Sequence, residues 1–452
     1  MNGIFRHPIL SAVLFSFAFS TCASAGEKIS VPELTDPARA EEVRARVAAD
    51  REAARALLND VVRSGKDAET RCTAINTLGA SADTYIAKSL ADVINDADPA
   101  VQSCAIRAAG EAKNLFAVKD LLLLIENYLA SYSTMGPYEA GMLARIKAID
   151  SVWALGEIGD PAATQKLLKF FGESDNVVKI NIAISAGKTN SGYAKKFLSS
   201  LAGNTSEASA VRAAAFETLA GSKASAAAPG AALADGIEKG DIIYAGGRMG
   251  IPQSWIADVP VGHSGIFGGT ELMDGKLVVV IYDCVPDTFQ PYGGVRRIYS
   301  WKDFTHQNKY PYYGNRVSKV RPTAAQRKKI ILAAKAKLGL HYSDTHFQQK
   351  GPDLFDCVGY TEYAYEAAGL NPTPDEQETG WGWPLTPAEQ FAATVANTQM
   401  RPPLAMAGGG SGRAPRTEII TNNIDKLLKA YGMEGRSGLP EVNSDIRPEP
   451  EN

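Results

Sequence analysis

Five cysteines and five histidines in 452 residues leave few groups able to do nucleophilic chemistry. Cys357 stands out by its setting, DLFDCVGYTEYAYEAAGL, from Asp353 to Leu370. Asp356, Cys357, Val358 and Gly359 open an amphipathic run that Gly369 closes. A thiol at a helix N-terminus meets the positive end of the macrodipole and several unpaired N–H groups, which favour thiolate over thiol. Such a sulfur is a nucleophile near neutral pH only if a base can take its proton. His263, in VGHSGIF, is the candidate base: a glycine precedes it, an alternating strand follows, and a strand holds an imidazole firmly. A turn at Met273-Asp274-Gly275-Lys276 sends the chain back along LVVVIYDCV. Hairpin pairing then brings Asp283 beside the His263 strand, as an acceptor for the second ring nitrogen.

Each of these residues also has a plain structural role open to it. Cys357 can be a core thiol, His263 a strand histidine and Asp283 a strand-end carboxylate. Tyr282 and Cys284 point to the opposite face of a regular strand from Asp283, which makes Cys284 a packing residue. His341 and His346 lie beside Asp344, but their i, i+5 spacing does not share a helical face, so no metal site is expected. His306, in KDFTHQNKY, reads as a surface residue. The Gly-Gly pairs at 246–247, 268–269 and 293–294 read as turns, because no strand–GxGxxG–helix context surrounds them. GWGWPLTPAEQF, from Gly380 to Phe391, reads as a packing lid or one wall of a cleft.

The elements that must carry these groups fall into two textures. From about Asp67 to Gly221, helical Ala-rich segments recur, ending at Gly79, Gly110, Gly156, Gly187 and Gly221. The period is a little over thirty residues, and one interval is widened by SYSTMGPYEAGM. Asp98-Pro99 and Asp160-Pro161 mark helix starts, and each glycine reads as a helix stop. Paired helices at this period stack into a solenoid. Cys72 and Cys104 occupy similar phases in adjacent segments. They are either a disulfide or two core thiols, and two core thiols is the expectation. After the small-residue stretch SKASAAAPGAALADG come short β-rich runs: GDIIYAG, GHSGIFGG, KLVVVIYDCV and GVRRIYSW. Helical pattern returns at AAQRKKIILAAKAKLG and after Cys357, giving an α+β region.

Five segments result: a leader over 1–25, a helical repeat domain over 26–221, a linker over 222–234, an α+β domain over 235–400, and a tail over 401–452 with one helix. The leader has a short basic start, an apolar run from Ile9 to Phe19 and a small-x-small site at Ala23-Ser24-Ala25. That run is too short for the roughly 30 Å of hydrocarbon, so a periplasmic or secreted protein cleaved near Ala25, with no membrane span, is expected. A net charge of −3 gives no bulk reason to expect a nucleic-acid partner.

These residues carry two resemblances. ALGEIGDPAA and DADPAVQSCAIRAAGEA resemble HEAT repeats of the short bacterial type. LGLHYSDTHF…DLFDCVGYTEYAYEAAGL resembles the nucleophile region of the NlpC-type cysteine peptidase superfamily, in which Leu-Gly-x-x-Tyr precedes an Asp-Cys-x-Gly that opens a helix. GDIIY…GHSGIF is similar to that family's histidine strand. His263 comes 94 residues before Cys357, the order of the circularly permuted papain-like branch. The resemblance implies Cys357 as nucleophile, His263 as general base and Asp283 as orienter. Tyr342 would be the tyrosine near the thiol that helps stabilise the oxyanion, unless it is a core aromatic. Val358 stands where serine is usual, and its backbone N–H still serves an oxyanion hole.

No cofactor or metal follows from this set. The expected activity is hydrolysis of an amide, with peptidoglycan stem peptides as substrate and a protein partner possible on the helical repeats. The rival expectations are a lipid-directed amidase or acyltransferase, and a non-catalytic HEAT-based binding protein.

Overall fold

The computed structural model describes residues 28–64, 67–135, 142–189, 191–219, 236–247, 260–289, 292–344, 349–373 and 385–397. The leader to Ala25, the 222–234 linker, His346, Trp381, Trp383 and the tail from 401 lie outside the described residues. What is described is a helix-rich N-terminal part followed by a sheet-containing region. None of the described helices is long and apolar enough to cross a membrane.

The helices start where acidic caps stand. Asp98 accepts from Ala100 and Val101 N–H ahead of Pro99, and Asp160 does the same for Ala162 and Ala163 ahead of Pro161. Asp67, Asp83 and Asp175 cap the helices Ala68–Leu78, Thr84–Val93 and Asn176–Lys188. Each such cap satisfies orphan N–H groups and contributes about 1 kcal/mol.

Gly79 is the C-cap of Ala68–Leu78, as expected, and Gly221 lies outside the described residues, but the other three recurring glycines do something other than stop helices. Gly110, Gly156 and Gly187 lie inside Pro99–Glu111, Met142–Ile158 and Asn176–Lys188. They sit where each of these helices touches the corresponding helix of the following unit. A Cβ on Gly110 would lie 2.9 Å from Ala154 Cα, one on Gly156 2.7 Å from Ser185 Cβ, and one on Gly187 1.7 Å from Thr218 Cγ2. The repeat period is therefore a spacing of close backbone approaches. Gly156→Val should overpack that contact and lower stability by about 1–3 kcal/mol. Gly203→Ala, where a Cβ would meet nothing within 4 Å, should not destabilise. Urea midpoints of the two variants make the comparison.

Cys72 and Cys104 are bonded to each other, with Cα atoms 5.4 Å apart. This corrects the expectation of two core thiols. Equal phase on neighbouring helices brought the two sulfurs to one point.

The sheet region is built on six strands: β1 (Ile242–Gly246), β2 (Val261–Met273), β3 (Lys276–Val285), β4 (Gly294–Ile298), β5 (Tyr312–Val317) and, at the far edge, the short Val395–Ala396. Their order is β4-β3-β2-β1-β5 and then the edge strand, with antiparallel pairing throughout. β2 and β3 are joined through Asp274 (φ 50°) and Gly275 (φ 73°), the left-handed pair a two-residue hairpin needs. A second, parallel pair joins His341–Tyr342 to Leu354–Phe355. Helices Ala324–Ala336, Cys357–Glu366 and Pro387–Ala393 pack on the main sheet.

One continuous hydrophobic core runs through both parts. Helix Ser209–Thr218 lies against β3 and β2. Asn181 imitates a strand partner for β5, accepting from Tyr312 N–H at 3.1 Å and donating to its carbonyl at 2.7 Å. Beside it Tyr313 donates to Asp150 and accepts from Arg107.

Candidate active site

Asp356 has extended backbone and caps the helix Cys357–Glu366 by accepting the Gly359 N–H at 2.7 Å. Gly359 has a second reason to be glycine: a Cβ there would lie 2.0 Å from the carbonyl oxygen of Gln349. That approach lets Gln349 donate to Asp356 at 2.6 Å and so brace the cap. On β3, Cys284 donates its S–H to the carbonyl of Phe355, two residues before Cys357. Cys284 thus ties the start of the helix to the sheet, on the face opposite Asp283, and burial pushes its thiol up.

The Cys357 side chain is buried at this junction, with the backbone N–H groups of Ser264 and Val358 directed at its sulfur. Ser264 follows His263 on β2, so 94 residues of chain close to bring the thiol to the histidine strand. Burial, and then the charge of Asp356, push the thiol up to about 12 against the pull of the two amides. This reverses the thiolate preference expected from the helix N-terminus alone, because desolvation of the sulfur outweighs the dipole. The resting group is a thiol, and it could act as a nucleophile only if a base took its proton.

His263 is buried, and its Nε2 lies 3.0 Å from Asp283 Oδ2. Gly265 pairs with Asp283, and His263 shares the Gly265 face, so imidazole and carboxylate meet diagonally across the hairpin. Asp283 is itself fully buried and is gripped by Arg296 from β4, with Nε at 2.8 Å from Oδ1 and Nη2 at 3.1 Å from Oδ2. Burial alone would raise this carboxyl. The Arg296 charge and the hydrogen bonds from His263 and Arg296 overcome it and hold Asp283 down at about 2. An ionised carboxylate can only accept, so Nε2 carries a proton, and Nδ1 is the ring nitrogen that could act as an acceptor. Among the described residues the sulfur makes no hydrogen bond to the imidazole; catalytic contacts of this kind commonly tighten when substrate binds.

Tyr342 is half-buried beside Phe355 in the parallel pair. Burial raises its phenol, with the charges of Cys357 and Asp356 as the next contributors. His341 is exposed and pairs with Asp287 at 3.1 Å. Among the described residues, no group of three or more His, Cys, Asp or Glu side chains is placed to hold a metal ion.

Compared with known proteins, the chain matches no family model and no curated sequence.

Two residues of this cluster escaped the sequence. Arg296 is one; the alternation of GVRRI implies that one of Arg296 and Arg297 faces inward, and the pairing of Asp283 with Arg296 selects which. His306 is the other. Expected at the surface, it is half-buried: the ring packs against His263 at 5.1 Å between centroids and touches Phe289 and Tyr310. A left-handed turn at 306–308 turns the His306 ring inward while Lys302, Gln307 and Lys309 of the same run stay exposed.

Proposed function

We propose that this chain is a cysteine hydrolase of the circularly permuted, NlpC-type papain-like kind, carried behind HEAT-like repeats, that cleaves an amide bond. The observation that carries this reading is the Cys357 thiol seated at the backbone N–H next to His263, with His263 held from its far nitrogen by an ionised Asp283. In the proposed reaction His263 Nδ1 takes the thiol proton as sulfur attacks the carbonyl carbon. The Val358 N–H and the Tyr342 hydroxyl are the candidate donors to the oxyanion. The imidazolium then returns its proton to the leaving amine, and a second cycle through water releases the acyl group. The leader and the resemblance at 338–370 favour the cell wall as the compartment. The substrate class is then stem peptides, cut between a D-glutamyl residue and the following diamino acid.

Mass spectrometry of purified peptidoglycan incubated with wild type and with Cys357→Ala tests this. New stem-peptide fragments should appear with wild type alone. Unchanged muropeptides alongside hydrolysis of lipid amides or esters would reassign the substrate to lipid.

A further inference from the structure

We propose that the helical region is part of the catalytic apparatus: Glu217 and Lys188 grip the segment 301–310, which presses Phe304 and His306 onto the His263 ring, and His306 is a positioning residue. The proposal rests on the hydrolase reading of Cys357 and His263.

The grip has two ends. At the first, the Glu217 carboxylate, from helix Ser209–Thr218, accepts the N–H groups of Trp301 at 2.7 Å and Lys302 at 2.5 Å. These are the first residues of the short helix Trp301–Phe304, which ends at one of the rings beside His263. Trp301 adds a bond of its own, from its indole N–H to the Ala210 carbonyl. At the second end, Lys188 Nζ donates to the Asn308 carbonyl at 3.0 Å while paired with Glu157 at 2.5 Å. Arg107 lies over the Tyr310 ring, two residues further on. Every gripping side chain belongs to the helical region.

The segment between the two ends is strained. His306, Gln307 and Asn308 have φ values of 52°, 62° and 61°, three successive left-handed residues without a glycine among them. L-residues rarely adopt that region, and such a run persists only where its surroundings impose it. Gln307 N–H to Lys302 O, Tyr310 N–H to Thr305 O, and Thr305 Oγ1 to Asn308 Oδ1 close the turn internally. The outcome is a wall on the catalytic imidazole. Phe304 and His306 each stand 5.1 Å from the His263 ring, centroid to centroid. Burial, and next the neighbouring His263, hold His306 down at about 3, so it packs there as a neutral ring. With Asp283 fixing one ring nitrogen and these two rings limiting its tilt, the remaining nitrogen keeps one direction.

The test is alkylation of Cys357 by chloroacetamide at pH 7, followed by intact mass, with peptide turnover measured in parallel. His306→Ala should slow the His263-dependent alkylation and lower kcat by about 10- to 100-fold with KM little changed. His306→Phe, which keeps the wall without the nitrogens, should recover most of both. Lys188→Met and Glu217→Ala should each reproduce the His306→Ala loss at a distance, and neither should add to it in the double variant. Urea midpoints identify any variant that merely unfolds. The His306 variants lie outside the helical region and stand as the test should Lys188→Met fail to fold.

The proposal is overturned if His306→Ala alkylates at the wild-type rate, if His306→Phe is as slow as His306→Ala, or if the Lys188 and His306 losses multiply. The hydrolase reading fails separately, if alkylation is indifferent to His263→Ala.

Discussion

His263→Ala should lower turnover of a susceptible peptide by about 10⁴- to 10⁶-fold, and Cys357→Ala by a comparable factor. The double variant should be no worse than either single one, because nucleophile and base act as a unit and either loss removes the step. The position of the thiol makes a sharper form of this expectation. Cys357 is pushed up to about 12 by burial and Asp356, so below that pH the group is a thiol. In the proposed mechanism the wild-type imidazole removes the proton as sulfur attacks, and rate does not wait on free thiolate. In His263→Ala only the spontaneously ionised fraction can react, and that fraction rises tenfold for each pH unit below about 12. Residual kcat/KM of His263→Ala should therefore climb with a slope of one in log rate against pH between 7 and 10. Wild type should be flat over that interval. A His263→Ala profile that plateaus near pH 8 would mean an ordinary thiol, activated by something other than the imidazole.

The parts of this site that lay within one short stretch were legible from it. Asp-Cys-x-Gly announced a capped helix N-terminus, and Asp356 does cap it through Gly359 N–H. The Asp274-Gly275 turn announced the hairpin, and with it the meeting of His263 and Asp283 across two strands. Parity alone separated Asp283 from Cys284. What remained hidden depended on long-range closure. Arg296 reaches Asp283 only through the pairing of β4 with β3, and no motif marks it. His306 is placed by a turn whose supports, Lys188 and Glu217, stand 118 and 89 residues earlier in the chain. The disulfide was missed because helical phase says which face a cysteine occupies but not how close two helices come. The glycines were misread for a related reason. Glycine near a helix end looks like a stop, and the contact that requires it at 110, 156 and 187 lies on the next repeat. The direction of the Cys357 shift was missed because the dipole is visible in sequence while burial is not.

Arg296→Met should separate the two things that arginine does, and it should cost stability as well as rate. In wild type the folded Asp283 titrates at about 2 against an ordinary value of 3.8. A group held low in the fold stabilises it above the unfolded value, and that contribution disappears as pH falls through the folded value. The gap is worth about 2 kcal/mol, present above pH 4 and lost between pH 4 and 2. Without Arg296 the sign reverses. Burial then dominates and lifts the carboxyl above 3.8, so the fold favours its neutral form and loses stability as pH rises through the new value. Stripping one partner from a pair this buried costs about 3–5 kcal/mol at neutral pH. From this group, the urea midpoint should rise between pH 3 and 5 and stay level from 5 to 7 for wild type, and should fall with rising pH for Arg296→Met. The kinetic consequence follows from the same proton. A protonated Asp283 donates to Nε2 instead of accepting from it, which moves the ring proton to Nδ1 and leaves no base facing the sulfur. Turnover by Arg296→Met should accordingly be lost wherever Asp283 is protonated. Undiminished turnover together with an unchanged midpoint series would mean that Asp283 stays ionised without the guanidinium, and that Arg296 holds no more than the strand.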